Sequence, residues 1–435
     1  MLWEWSLLPL TAEWGREGLQ IGGCSVPDLV RAYGTPLYLY DAVTLRTQVQ
    51  TLEELLREHY PGEGLITYAA KAYFSPALAR RLVALGLGVD VVSLGEFRLA
   101  LRAGFPPTHI HLHGNNKTLE EIALALEMGI QAIVVDSLDE LEWIETIAQE
   151  RGQVARIWLR ITPGIATHTH PHIQTAHAQS KFGLYVETGD AALAIHKARH
   201  SPWLDLRGLH THLGSQIHDT EPYQRAIEAL FALAEQTDYL PEEFSPGGGW
   251  GVRYQPEDPP DNPLPWVRAI SESVTAACKR RHWPLPRLVI EPGRWLVARA
   301  GVAIYQVGAQ KRAADGRHII AVDGGMADNP RVALYGARYV ALPLGYESYE
   351  GDLLPSRVVG RFCESGDVLI EEIDLPPLQR GDLLVIPVAG AYHLSMASNY
   401  NLAPRPAALW LEDGRAELLQ PREDPLASLW WGDEP

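Results

Sequence analysis

The stretch "LITYAAKAYFSPALARRLVALGLGVDVVS", residues 65–93, sets the rhythm of the chain. An apolar run (65–70) is followed by Ser75-Pro76, a helix start signal, and then by apolar residues at spacings of three and four. The helical pattern stops at Gly86, and "GVDVVS" (88–93) is a second apolar run. Strand, helix, strand with short joints is the signature of a parallel pairing. Further runs continue it: "HIHLHG" (109–114), "QAIVVD" (131–136), "VARIWLRI" (154–161), "LRGLHTHL" (206–213), the weaker "EEFSPGG" (242–248) and "RLVIEP" (287–292). Thr118 with Glu121, and Ser137 with Glu140, read as capping boxes at the starts of two helices. Eight such units have the size of a (β/α)8 barrel, with a doubly wound open sheet as the alternative.

Beyond about residue 297 the rhythm changes. "VAIYQVG", "RHIIAVDGG", "GDVLIEE", "GDLLVIPVAG", "PAALWLEDG" and "RAELLQ" are short strands joined by Gly, Asp and Pro turns. They predict a mostly antiparallel β domain, barrel-like in form. "GLQIGG" and "PLYLYD" near the start are expected to pair with it. The expected organisation is a (β/α)8 barrel over 43–296 and a β domain from 1–42 plus 297–435.

The 435 residues carry a net charge of -17, which argues against nucleic acid or an anionic membrane as partner. An anionic ligand would need a local cationic cluster. Three cysteines, Cys24, Cys278 and Cys363, are too few and too scattered for a disulfide framework. No signal peptide or membrane span is read at the start, and a cytoplasmic protein is expected.

Chemistry in such barrels gathers at the C-terminal ends of the strands. There the sequence places Lys71, Asp90, His212, Gly247-Gly248-Gly249, Glu291 and Arg294. A glycine run lets backbone N–H groups approach an anion, and its place after the seventh strand suits a phosphate. A lysine in an apolar setting can form a Schiff base with an aldehyde, and a carboxylate can keep a pyridine nitrogen protonated. Together these are the needs of pyridoxal 5'-phosphate. Lys71 is expected to be desolvated by its strand.

Histidines supply a rival reading. His109, His111 and His113 share a strand face, His168, His170 and His172 crowd one loop, and His210 precedes His212. Paired histidines at strand ends also describe metal-dependent amidohydrolases. The first strand ends in Lys71 instead, and a metal site leaves the glycine run unexplained, so no metal is expected.

The chain resembles the diaminopimelate decarboxylase family of fold-type III pyridoxal phosphate enzymes. The resemblance rests on "YAAKA", "HGNNKT", "HTHLGSQ", "GGGWGVRY", "EPGRWLVA", "VDGGMADNPRVALYGARY", "CESGDVL" and "AGAYHLSMASNYN", in that order over essentially the whole chain. It implies that Lys71 carries the cofactor as a Schiff base. His212 would stack on the ring, with Asp90 also in the cofactor site. Ser215, Gly247, Gly248, Gly249 and Arg294 would surround the phosphate, and Glu291 would pair with the ring nitrogen. Tyr392 would touch cofactor and substrate. Arg294, Arg331 and Tyr335 would grip the distal end of the substrate, and Glu364 its ammonium. Cys363 would return a proton after CO2 leaves, and Cys363 with Glu364 would come from the partner subunit of a homodimer sharing its active sites. The implied reaction is decarboxylation of meso-2,6-diaminopimelate to L-lysine. The same chemistry on ornithine or arginine is the alternative. Tyr73 departs from the family pattern, which commonly has Asn there.

Overall fold

In a computed structural model of the chain, residues 4–15, 18–165 and 180–424 are described. His168, His170 and His172 lie outside them. Contacts divide the chain into two compact units: residues 49–251 with 261–293, and residues 1–48 with 252–260 and 294–435.

The first unit is built on eight strands: β1 (Gly64–Ala69), β2 (Gly88–Val91), β3 (Ile110–Leu112), β4 (Ala132–Val135), β5 (Ala155–Thr162), β6 (Leu204–His210), β7 (Glu243–Ser245) and β8 (Arg287–Ile290). Each pairs in parallel with the next. β8 then pairs with β1 through Leu288 to Gly64 and Ile290 to Ile66. The sheet is therefore closed, and the open-sheet alternative is set aside. A further parallel pair, Leu184–Tyr185, extends β5 at its end.

The strands read as continuous apolar runs because helices cover one face and the barrel interior covers the other. Ala132, Val134, Trp158 and Val289 pack together in that interior. Trp158 Nε1–H donates to Glu243 Oε2 at 2.7 Å, and Gln131 donates to the other oxygen at 2.6 Å. The buried carboxylate thus has partners on both sides.

Local signals set the helix starts. Ser75 accepts the Leu78 N–H with Pro76 in the first turn. Thr118 and Glu121 form the full capping box. Ser137 accepts the Glu140 N–H, but the Glu140 carboxylate does not return to the cap. It accepts the Asp136 N–H at 3.1 Å and the Lys117 ammonium at 2.7 Å. The second capping box is therefore half formed, because a buried cation outcompetes a backbone N–H for the carboxylate.

The second unit carries a sheet in the order 368–375, 354–359, 318–322, 301–312, 37–41, 407–412, 415–420, with 383–386 also on 301–312. Most pairings are antiparallel. The exceptions are 318–322 with 354–359, and 37–41 with 407–412. "PLYLYD" therefore pairs inside this unit, as expected. "GLQIGG" instead joins a separate three-stranded sheet over 13–25. Leu19 and Ile21 of that sheet share one core with Leu37, Leu39, Val302, Ile304, Leu409 and Leu411.

Lys117 donates all three ammonium protons, to Glu140, Gly114 O (2.8 Å) and Val134 O (2.6 Å), with both side chains of the ion pair almost fully buried. Removing one partner strands the other charge. Lys117→Met is expected to destabilise the barrel by about 3–5 kcal/mol, and adding Glu140→Gln to recover part of the loss. Urea unfolding followed by barrel-strand hydrogen exchange checks this.

Candidate active site

Each unit gathers a set of sequence-predicted residues. In the barrel, β1 ends in a short 3-10 turn, Ala70–Ala72, with Ala70 and Ala72 buried. Lys71 in that turn is exposed. The expected desolvation by the strand is corrected here: the tight turn sends adjacent side chains to different sides, so the alanines are packed and the lysine is not. Its charge still acts on Glu96 and on the His212 ring. Tyr73 is 3 % exposed. The Tyr68 hydroxyl grips its backbone, donating to Tyr73 O at 2.7 Å and accepting from Tyr73 N at 3.1 Å. This fixes the path of the chain leaving Lys71.

Glu291 follows β8, the neighbour of β1, and is buried. Its carboxylate faces the His210 Nε2 at 3.1 Å and accepts from Ser245 Oγ at 2.5 Å. Burial alone would raise its pKa. His210, His113 and the two hydrogen bonds outweigh burial and hold the carboxyl well below its usual range. Burial, followed by the charges of Lys71 and Arg160, holds the His212 ring well below the usual histidine range. Glu291 is therefore ionised and His212 neutral near pH 7.

The glycine run owes its composition to close packing. A Cβ at Gly248 would sit 2.0 Å from Glu291 O, and one at Gly249 would sit 2.1 Å from Gly214 O. Gly247 and Gly249 have φ of +77° and +90°. The three carbonyls accept from Glu291 N, the Tyr223 hydroxyl and Ile217 N. Among the described residues, the Gly248 and Gly249 N–H groups donate to no protein acceptor. Ser215 is partly buried in the preceding loop. Trp250, after the run, is 2 % exposed and stacks on Trp266 at 6.0 Å.

Asp90 on β2 is buried beside two histidines, 3.5 Å from His111 Nδ1 and 3.5 Å from His113 Nε2. His111 and His113 do share a face beside Asp90, but His109 lies in the 3-10 turn before β3, outside the strand. His113, His210 and Glu291 have donor atoms within 4.8 Å of one another, the residue types of a metal site. Both Glu291 oxygens are already engaged, by Ser245 and His210, and the His113 ring packs edge-on against His210 at 5.0 Å. The barrel residues fit pyridoxal phosphate: an amine, an ionised carboxylate on the neighbouring strand, a neutral ring, and two N–H groups with no protein acceptor.

The second unit holds Arg294, Arg331, Tyr335, Tyr392, Cys363 and Glu364. Arg294 and Arg331 are 8 % and 5 % exposed. Both guanidinium groups meet Tyr254. Arg294 donates to its hydroxyl at 2.8 Å, and Arg331 lies 4.9 Å from its ring centre. Arg294 also lies 4.6 Å from the Tyr392 ring. Burial pushes the Tyr254 hydroxyl up, but the two arginines outweigh it and bring it below the usual tyrosine value. Tyr335 ends the short helix that Arg331 begins, and is partly exposed.

Cys363 and Glu364 are exposed in a loop over 360–367. Buried Asp367 pins that loop, accepting from Met326 N at 2.6 Å and Phe362 N at 2.7 Å. Asn401 Oδ1 accepts the Cys363 N–H at 3.2 Å.

Sequence reading had no role for Tyr254, Tyr339, His393, Asp328 or Asp367. Tyr254 and Tyr339 end the quoted motifs "GGGWGVRY" and "ALYGARY", and His393 follows Tyr392, so proximity to motif residues was the available signal.

His393 is fully buried, and burial, then Arg331 and Arg294, hold its ring well below the ordinary 6.5. Below about pH 6.5 the unfolded chain takes a proton that the folded chain refuses, so stability falls by about 1.4 kcal/mol per pH unit from this group. The unfolding free energy of the wild type should drop more steeply than that of His393→Gln between about pH 6.5 and 5.5. Equal slopes would show that the folded protein protonates His393.

Comparison with known proteins identifies the family. Residues 45–298 match the model of the pyridoxal-dependent decarboxylases, pyridoxal binding domain. The diaminopimelate decarboxylase of Bacillus subtilis is 42% identical over 412 residues, covering 93% of each chain. The structure of diaminopimelate decarboxylase from Helicobacter pylori complexed with L-lysine matches with a TM-score of 0.84 and 33% identity, over 93% of this chain and 98% of that one. The enzyme of M. jannaschii, in co-complex with L-lysine, matches with a TM-score of 0.89 and 31% identity, over 98% of both chains. With similarity of this extent running through both units, the chain belongs to the pyridoxal-dependent decarboxylases and, among them, to the diaminopimelate decarboxylase family.

Proposed function

We propose that the chain decarboxylates meso-2,6-diaminopimelate to L-lysine with pyridoxal 5'-phosphate. The observation that carries the cofactor reading is Glu291, an ionised carboxylate inside the barrel, on the strand next to the one that ends at Lys71. The bound cofactor supplies an electron sink for the pair left at the substrate Cα when CO2 departs. Lys71 holds it through its amine. Glu291 keeps a proton on the ring nitrogen, and His210 and Ser245 keep Glu291 charged. The Gly248 and Gly249 N–H groups would donate to the phosphate, with Gly247 and Ser215 beside it. The neutral His212 ring would stack on the cofactor, with Asp90 also in its site.

For the substrate, Arg331 supports the reading most directly. It is a buried guanidinium with no carboxylate partner among the described residues, and such a charge calls for an anionic ligand. Arg294, Tyr335 and Tyr392 would share the distal carboxylate with it. Glu364 suits the distal ammonium, and Cys363 is the acid that returns a proton to Cα. Their exposed loop fits a homodimer in which Cys363 and Glu364 complete the neighbour's site. An ornithine or arginine decarboxylase would have no use for a guanidinium at the distal end.

Purified protein with cofactor should be yellow, and borohydride should bleach it and add mass at Lys71. A colourless, zinc-loaded protein would sink the reading. CO2 release should be fast with diaminopimelate and at least about a hundredfold slower with ornithine, arginine or lysine, the penalty of leaving a buried charge unpaired. Comparable rates with ornithine would favour the alternative.

The shared site has its own test. Inactive Lys71→Ala and Cys363→Ala dimers should recover up to about a quarter of wild-type activity after subunit exchange, the share of intact sites expected in random hybrids. No recovery after confirmed exchange would place Cys363 in its own chain's site.

A further inference from the structure

A continuous hydrogen-bond chain runs through the interior of the second unit and ends on Arg331. Arg331 donates to the Tyr339 hydroxyl oxygen. The Tyr339 hydroxyl lies 2.8 Å from His393 Nε2, and His393 Nδ1 lies 3.2 Å from the Tyr38 hydroxyl. Tyr38 donates to Asp328 Oδ2 at 3.0 Å. Tyr305 donates to the same oxygen, and Gly325 N donates to Asp328 Oδ1 at 2.9 Å. Tyr38, His393, Tyr305, Asp328, Tyr339 and Arg331 are all buried.

Chemistry at the two ends fixes every direction between them. A guanidinium can donate and cannot accept, while a carboxylate accepts. Tyr339 therefore receives from Arg331 and must send its own proton to His393 Nε2. The neutral imidazole then carries its proton on Nδ1 and donates it to the Tyr38 oxygen, whose proton goes to Asp328. No member can reverse without leaving a buried group unpaired. His393 is thus a strut of fixed length and fixed tautomer behind Tyr339. Tyr339 in turn ties one N–H of Arg331, and Tyr254 lies against the guanidinium. What remains of the fork is aimed by these two contacts.

We propose that His393, acting through Tyr339, is a positioning residue that aims Arg331 at the distal carboxylate and so sets the preference for diamino acids that carry one. This rests on Arg331 gripping the substrate, as proposed above. The relevant contrast is a ligand that lacks the distal carboxylate, for which 1,5-diaminopentane serves; L-lysine, the product, keeps that carboxylate.

The test measures kcat and KM for meso-diaminopimelate, and the inhibition constant of 1,5-diaminopentane, in the wild type, Arg331→Lys, Tyr339→Phe and His393→Gln holoenzymes. Tyr339→Phe and His393→Gln should each raise KM about tenfold, the weight of one hydrogen bond to a charged group. They should leave kcat within about twofold, since neither touches the reacting carbon, and the 1,5-diaminopentane constant unchanged, since that ligand has no carboxylate for Arg331. Unchanged KM in both variants overturns the proposal, and so does an equal weakening of 1,5-diaminopentane, which a merely structural defect would cause. If Arg331→Lys leaves the ratio of the two constants unchanged, the grip itself has failed, and the proposal falls with it. A readout on the unaltered protein stands if the variants do not fold. In 15N spectra of histidine-labelled wild type, His393 should be the Nδ1–H tautomer, and finding the proton on Nε2 overturns the inference.

Discussion

Pairing of β8 with β1 is the constraint on which the barrel's chemistry depends. It closes the sheet, and it puts the residue after Ile290 beside the turn after Ala69. The Ala69 N–H donates to Pro292 O at 3.4 Å, and a Cβ at Gly293 would lie 3.0 Å from the Ala69 Cβ. The approach is so close that glycine is needed where the two strand ends meet. Gly248 lies against Glu291 O in the same way from the other side, so β7, β8 and β1 deliver their ends to one place. An amine, a carboxylate and a pair of N–H donors then come together, although they are separated by up to 220 positions in the chain.

The two units handle buried charge differently. In the barrel, Glu291 stays ionised because the His210 and His113 rings and the hydrogen bonds from His210 and Ser245 outweigh its burial. Burial lowers the His210 pKa even though Glu291 pulls it upward. In the second unit two arginines are stabilised by tyrosine rings and hydroxyls, and Arg331 has no carboxylate partner among the described residues. A chain of net charge -17 needs such a local cationic pair to hold an anion against its overall field.

Features whose causes are local were legible in the sequence. All eight barrel strands were, down to the three residues of β7, because period and turn residues record them within a few positions. Thr118 with Glu121 was legible for the same reason. Glu140 was misread because its partner, Lys117, lies 23 positions upstream. Lys71 was placed correctly along the chain but given the wrong environment, since a turn of three residues decides which side chain is packed. The tyrosine and histidine chain left no pattern, because Tyr38 and His393 are 355 positions apart.

The same contrast explains why such a chain can be tuned. Asp328 carries a pKa pushed up to about 6, with burial as the main cause and hydrogen bonds from Tyr305, Gly325 and Tyr38 opposing it. A carboxylate that burial disfavours holds its place by accepting those bonds, and the same bonds orient Tyr38. Orientation then passes to His393 and Tyr339 without any net charge between the two ends. Arg331 and Asp328 are thereby coupled as the poles of one polar strut. A direct ion pair would satisfy both charges more simply, yet it would consume the guanidinium face that a ligand needs. Separating the poles by neutral hydroxyls and an imidazole orients the cation while leaving it electrostatically available.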